Sequence, residues 1–253
     1  MLAVAAMLSA GFSGRLQAQN AGARPAPPAA PDGKAAAPTE TDLTGYWVSI
    51  VTEDWRWRMV TPARGDYQSV PISETARKAA DLWDPAKDEA AGEQCKSYGA
   101  PAIMRVPGRV HITWQDDKTL KVEVDAGQQT RLLHFGNWKA PAGPATWQGD
   151  SVAQWEIPRG SRGADGAKYG DLKVVTNHVR PGYLRKNGIP YSANTEMTEY
   201  WDINKEPNGD QWLVVTTMVH DPAFLFQDWV TSLHFKREPD GSKWDPQPCS
   251  ARW

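Results

Sequence analysis

The sequence predicts a single all-β domain: an antiparallel up-and-down barrel of about eight to ten strands with one helical insertion after the first strand. From Leu43 onward, apolar residues recur mainly at every second position, which is the period of a half-buried strand. Short turn segments such as EPNGD and EPDG separate these runs, so consecutive strands should pair antiparallel. A sheet of this size must protect its edge strands, and closure into a barrel is the simplest solution.

The first strand is predicted in GYWVSIVT, and the helical insertion follows in SETARKAADLWDPAKDEAAGEQ. Ser73 can cap a helix, Glu74 suits the positive end of the helix dipole, and Pro85 interrupts the pattern. One helix is therefore expected over residues 73–83. Further strands are predicted in RVHITW, KTLKVEVD, TRLLHF, ATWQGDSVAQWEI, DLKVVTNHV, NTEMTEYWDI, QWLVVTTMV and WVTSLHFKRE.

The N-terminal segment is typical of an exported protein. MLAVAAMLSAGF is an apolar run too short to span a bilayer, and small residues suitable for cleavage follow it. We expect a signal peptide over residues 1–18, with a second cleavage option after residue 23, then a disordered Pro/Ala-rich tether over residues 19–41 and the barrel over residues 42–253. The protein should be periplasmic or secreted. In that environment Cys95 and Cys249 are expected to form a disulfide.

Charge and composition argue against several classes of protein. The net charge is −2 and no basic stripe is present, which argues against a nucleic-acid partner. No later run is long and apolar enough for a transmembrane helix, and Lys121, Glu123 and Asp125 share one face of a strand that a lipid-facing barrel could not accept. We therefore expect no membrane insertion. Because the sequence has no nucleotide-binding or metal-binding motif, we also expect no cofactor and no metal.

Two sets of residues resemble known families. The segment LTGYW, with Trp47 at the start of the first strand, resembles the G-x-W signature of lipocalin-type barrels, in which the tryptophan packs across the barrel floor. Over residues 43–248 the chain is similar to a large group of secreted bacterial proteins of unassigned function, through WDPAKD, Cys95 with GAPAIM, WQGDSV, TEYW and HDP. That resemblance implies export and a compact β-barrel-like domain, and it implies no reaction. The helical insertion, and the lack of a helix after the last strand, depart from ordinary lipocalins.

Two consecutive strands carry the sharpest candidates for chemistry. The inward row of DLKVVTNHV ends at His178, and the inward row of the next strand contains Glu199 between Met197 and Trp201. A buried carboxylate needs a partner, so Glu199 could pair with an arginine as a structural ion pair, or with a histidine as part of a site. Antiparallel pairing would bring His178 near Glu199, and the two could act as acid and base. A structural or exposed role stays open for every histidine.

Two segments combine arginine with aromatic residues. RPGYLRKNGIPYS, between the same two strands, could form a lid or grip an acidic group, or could be a solvated loop. EDWRWRM places Trp55 and Trp57 on one face and Arg56 and Arg58 on the other. The chain has 13 Trp against 5 Phe, and such rings can either bind flat ligands or pack the barrel and the helix.

The leading hypothesis is an exported β-barrel that binds a small apolar or aromatic molecule. The first alternative is a lyase, hydratase or isomerase that uses His178 and Glu199, and the second is a structural or protein-interaction module. A cavity of several hundred cubic ångströms would favour the first two over the third. The predicted ligand-binding residues are Trp47, Trp114, His134, Thr176, Tyr183, Arg185, Trp201, Thr217 and His234.

Overall fold

The computed structural model describes residues 35, 37–38, 40–158, 162–163, 166–167 and 169–252. The helices are α1 (Trp55–Arg58), α2 (Glu74–Asp81), α3 (Pro85–Ala90) and α4 (Ala100–Ile103), with a 3₁₀ turn at Lys96–Tyr98. The strands, numbered in chain order, are β1 (Gly45–Ser49), β2 (Arg109–Asp116), β3 (Thr119–Val124), β4 (Gln129–Phe135), β5 (Asp150–Glu156), β6 (Arg162–Gly163), β7 (Gly166–Ala167), β8 (Asp171–Asn177), β9 (Gly182–Tyr183), β10 (Pro190–Tyr191), β11 (Glu196–Lys205), β12 (Gln211–His220) and β13 (Trp229–Glu238).

Within these residues, nine strands close into one barrel in the order β1, β13, β12, β11, β8, β5, β4, β3, β2. The predicted fold class is confirmed, including the helical insertion between β1 and β2. One pair of neighbours, β4 and β5, is parallel, whereas every other pair in the barrel is antiparallel. A closed ring with an odd number of strands cannot alternate direction all the way round, so one parallel pair is unavoidable. Residues 136–149 carry the chain back along the barrel to make it.

The period-two pattern places one row of each strand in the interior. The inward rows include Leu120 and Val122 on β3, Leu172 and Val174 on β8, and Trp201 on β11, and these five side chains are almost completely buried. Trp47 on β1 is also buried, and its indole Nε1 donates to the carbonyl oxygen of Leu43 at 2.9 Å. Large side chains therefore fill the middle of the barrel.

The helical insertion covers one end of the barrel, called here the capped end. Ser73 caps α2 as predicted, with its Oγ accepting from the Ala76 amide at 3.2 Å, and α2 buries Ala76 and Ala80. These alanines belong to an apolar cluster that includes Met197 and Val219 near strand ends. The predicted disulfide between Cys95 and Cys249 is also present.

The opposite end of the barrel, the open end, meets the N-terminal segment. The amide of Ala35 donates to the carbonyl oxygen of Asp117 at 3.1 Å, and the buried Thr41 hydroxyl donates to the carbonyl oxygen of Gly170 at 3.4 Å. The last residues of the predicted tether thus lie against the barrel. The predicted signal peptide lies outside the described residues. In the part of the chain that the structure describes, none of the helices has the length and apolar character needed to cross a bilayer.

Candidate functional site

A cavity of about 250 Å³ lies at the open end of the barrel. Its apolar walls come from Leu43 before β1, Trp114 at the end of β2, Leu120 at the start of β3 and Trp155 at the end of β5, and we call this opening the tryptophan pocket. The N-terminal segment completes it with Ala37, Pro38, Thr41 and Asp42. The pocket forms because the inward rows of β2 and β5 end in tryptophan rather than in a polar residue.

The aromatic rings at this end pack into a continuous group. The Phe135 ring centroid lies 5.4 Å from that of Trp114 and 6.2 Å from that of Trp155, both within the range of favourable aromatic pairs. Trp114 remains 38% exposed, so part of its side chain is accessible from outside. The indole N–H of Trp155 is buried and has no hydrogen-bond partner among the described residues. The pocket therefore offers an aromatic stacking surface.

A buried polar layer crosses the interior on the capped side of this pocket. Arg131 on β4 forms a bidentate ion pair with Glu199 on β11, at 3.1 Å for Nη1 to Oε1 and 2.6 Å for Nη2 to Oε2. Thr176 on β8 lies 3.4 Å from the same guanidinium and 2.8 Å from the Ser151 hydroxyl. Both charged side chains are 0% exposed, so each supplies the counter-charge that burial requires. The structure thus selects the arginine partner for Glu199.

The predicted pairing of His178 with Glu199 is wrong. β8 ends at Asn177, and His178 adopts φ 53°, a left-handed conformation that ends the alternation of side chains along the strand. The His178 side chain is 42% exposed, and its Nδ1 lies 2.8 Å from Asp150 Oδ2. Glu199 pairs in register with Val174, four positions before His178. The two residues therefore cannot act together as acid and base.

Two other predicted ligand-binding histidines lie outside the barrel. On β4 the inward row is Arg131, Leu133 and Phe135, so His134 points outward, where its ring stacks on Trp138 at 4.0 Å. On β13 the inward row contains Leu233 and Phe235, and His234 lies 2.7 Å from Glu53 Oε1. The sequence left the faces of both histidines open, and in the structure both point away from the interior. Both faces of each of these two strands carry some apolar residues. The alternation of residues in the sequence therefore could not show which face points inward.

The remaining predicted ligand-binding residues fall into three places. Trp114 lines the tryptophan pocket. Tyr183 and Arg185 lie at the capped end, where the Tyr183 hydroxyl donates to Asp88 at 2.9 Å and Arg185 Nη1 donates to the carbonyl oxygen of Gln68 at 2.7 Å. The predicted residues buried in the barrel interior are Trp47, Thr176, Trp201 and Thr217.

Sequence reasoning missed the residues that complete both arrangements. Trp155 was not identified because the predicted strand that contains it is too long. The first part of that segment is not a strand, since β5 begins only at Asp150, after Gly149 with φ 59°. Arg131 was missed because a charged residue in an amphipathic strand normally faces water.

Among the described residues, no group of three or more His, Cys, Asp or Glu side chains is placed to hold a metal ion. No family model matches the chain, and no curated protein matches it.

Lys186 gives the capped end a testable pH response. Its ammonium lies 5.5 Å from the centroid of the Tyr98 ring, and burial lowers the pKa of Lys186 to about 6. Between about pH 6 and the unfolded lysine value of about 10.4, the unfolded chain holds a proton that the folded chain releases. This residue therefore makes the free energy of unfolding rise with pH across that interval. In urea titrations from pH 6 to pH 9, we expect the free energy of unfolding of Lys186→Met to rise less steeply with pH than that of the wild type. Equal slopes of the free energy against pH in the two proteins would refute this.

Proposed function

We propose that this chain is an exported protein that binds a small, neutral, aromatic molecule in the tryptophan pocket. The observation that carries the proposal is the opening at the barrel end lined by Trp114 and Trp155. Its volume of about 250 Å³ lies just below the ~300–1,000 Å³ of pockets for drug-sized ligands, which suits a molecule of one or two rings. The Cys95–Cys249 disulfide supports export because such bonds persist in oxidising compartments.

The polar groups of the pocket favour a neutral ligand over an acidic one. No lysine or arginine is among the described residues that line the opening, and its one carboxylate, Asp42, lies 3.5 Å from Arg237, so no cation is left there to hold an acidic group. A flat, neutral ring stacked on Trp114 fits these features.

The same features bear on the two alternatives. The hypothesis of an enzyme that uses His178 and Glu199 as acid and base loses its support. Glu199 forms an ion pair with Arg131, and His178 contacts Asp150 instead. A structural or protein-interaction role is the reading to adopt if the pocket proves unable to hold a small molecule. The proposal includes a relationship to lipocalin-type barrels. The position of Trp47 inside the closed barrel supports it.

Calorimetric titration with indole tests the proposal. We expect saturable binding to the wild type, and Trp114→Ala should weaken it at least tenfold, about 1.4 kcal/mol, because the stacking face is lost. Trp212→Ala is the matched control, since Trp212 lies on β12 against Lys236 and outside the pocket. Equal affinities of the two variants, or no heat of binding with the wild type, would count against the proposal.

A further inference from the structure

Three arginines from separate parts of the chain meet at the capped end. Arg58 ends α1, Arg105 follows α4, and Arg185 lies in the connection between β9 and β10. We call Arg58, Arg105 and Arg185 the arginine cluster. The Trp229 ring lies 5.1 Å from the Arg105 guanidinium and 5.9 Å from that of Arg185, while Arg58 Nε donates to the carbonyl oxygen of Arg105 at 3.0 Å. The three cationic groups are therefore neighbours.

The cluster holds more positive charge than its own contacts neutralise. Asp54 supplies the one carboxylate that bonds to it among the described residues, at 3.1 Å from Arg105 Nη2. Glu53 and Asp66 lie near enough to attract Arg58 and Arg185, but neither bonds to the cluster, since Glu53 contacts His234 and Asp66 pairs with Arg56. Burial, together with repulsion from Arg105, lowers the pKa of Arg58 and that of Arg185 to about 10.

Each arginine also keeps one unused donor. Arg58 is 5% exposed, Arg105 7% and Arg185 4%, yet each has one buried nitrogen without a hydrogen-bond partner among the described residues: Nη2, Nη1 and Nε respectively. Arg58 and Arg185 use some of their N–H donors in hydrogen bonds to backbone carbonyl oxygens. These neutral acceptors do not compensate the charge of three cations that are buried together. Burying a cation costs several kcal/mol unless a counter-charge compensates it. An external anion would supply that counter-charge.

The number and origin of the unused donors indicate the type of anion. A planar carboxylate matches one guanidinium at a time, whereas a tetrahedral group presents oxygens in several directions at once. We infer that the arginine cluster binds a tetrahedral oxyanion, a phosphate or a sulfate group, with Trp229 supporting the guanidinium groups from one side. Asp54 marks the entry, since its side chain is 45% exposed and occupies an Arg105 donor that the oxyanion would take over. This site lies at the opposite end of the barrel from the tryptophan pocket and does not depend on it.

Thermal unfolding in sodium phosphate, in sodium sulfate and in sodium chloride at equal ionic strength tests the inference. We expect a saturable rise in Tm with phosphate or sulfate beyond the chloride baseline, and the anion that saturates at lower concentration identifies the group. Arg58→Gln should abolish the saturable rise. Arg180→Gln is the matched control and should retain it, because Arg180 lies in the connection between β8 and β9, is exposed and already pairs with Glu93.

A surface variant keeps the test decisive if Arg58→Gln does not fold. Asp54→Asn removes the competing carboxylate and leaves all three arginines in place, so the anion concentration at half-saturation should fall several-fold. A saturable rise that both Arg58→Gln and Asp54→Asn leave unchanged would overturn the inference, as would the absence of any response to phosphate and sulfate beyond chloride.

Discussion

Glu199→Ala is expected to lower the free energy of unfolding by about 3–5 kcal/mol, the largest effect of any single substitution considered for this barrel. The reason is the Arg131 guanidinium, which is 0% exposed and would keep its charge in the interior with no carboxylate opposite. Chemical unfolding in urea, followed by the fluorescence of the buried tryptophans, measures the change. Glu199→Gln should be milder, because an amide oxygen can still accept a hydrogen bond from Arg131.

A double variant separates the ion pair from simple loss of packing. Arg131→Met with Glu199→Leu removes both charges and keeps much of the apolar volume, so it should recover most of the stability that Glu199→Ala loses. A loss below about 1 kcal/mol in Glu199→Ala would contradict the structural role that the bidentate contact assigns to it.

Removing the disulfide should have the second largest effect. Cys95→Ala with Cys249→Ala is expected to cost about 2–5 kcal/mol, because the bond closes a loop of 154 residues and restricts the unfolded chain. The tail carrying Cys249 is also held by hydrogen bonds, such as that from the Gly127 amide to the carbonyl oxygen of Gln247 at 2.8 Å. The double variant should therefore fold, but with a lower urea midpoint.

Thiol titration provides the control for this prediction. The denatured, non-reduced wild type should show no free thiol, and reduction should shift its urea midpoint to that of the double variant. Two free thiols per chain in the denatured, non-reduced protein would contradict the bond. Equal midpoints of the wild type with and without reductant would contradict the predicted contribution to stability.

The barrel could be predicted from sequence because alternation and short turns are local signals. The predicted strand DLKVVTNHV is an example in which this reasoning fails at the last inward residue. Its inward row was predicted correctly for Leu172, Val174 and Thr176, but the left-handed φ of His178 turns the last side chain out of the row. Histidine adopts a left-handed conformation more often than most residues, but this preference is too weak to locate the end of a strand from the sequence.

The site was less predictable because its parts come from distant segments. Trp114 was predicted as a ligand-binding residue, whereas Trp155 acquires its place only through the pairing of β5 with β8. Arg131 faces inward because Glu199, 68 positions away in sequence, needs a counter-charge. The arginine cluster likewise joins three segments that look like solvated surface when each is considered alone. Local periodicity carries no information about such contacts.

Native mass spectrometry of the purified protein tests most directly whether the tryptophan pocket holds a small molecule. We expect the wild type, purified without a ligand exchange step and incubated with indole, to carry an additional mass that is released on denaturation. The variant Trp114→Ala with Trp155→Ala should lack that mass, while Trp212→Ala should keep it. A wild type free of any additional mass under these conditions, or the same mass retained equally by the pocket variant, would contradict a small-molecule site at the open end of the barrel.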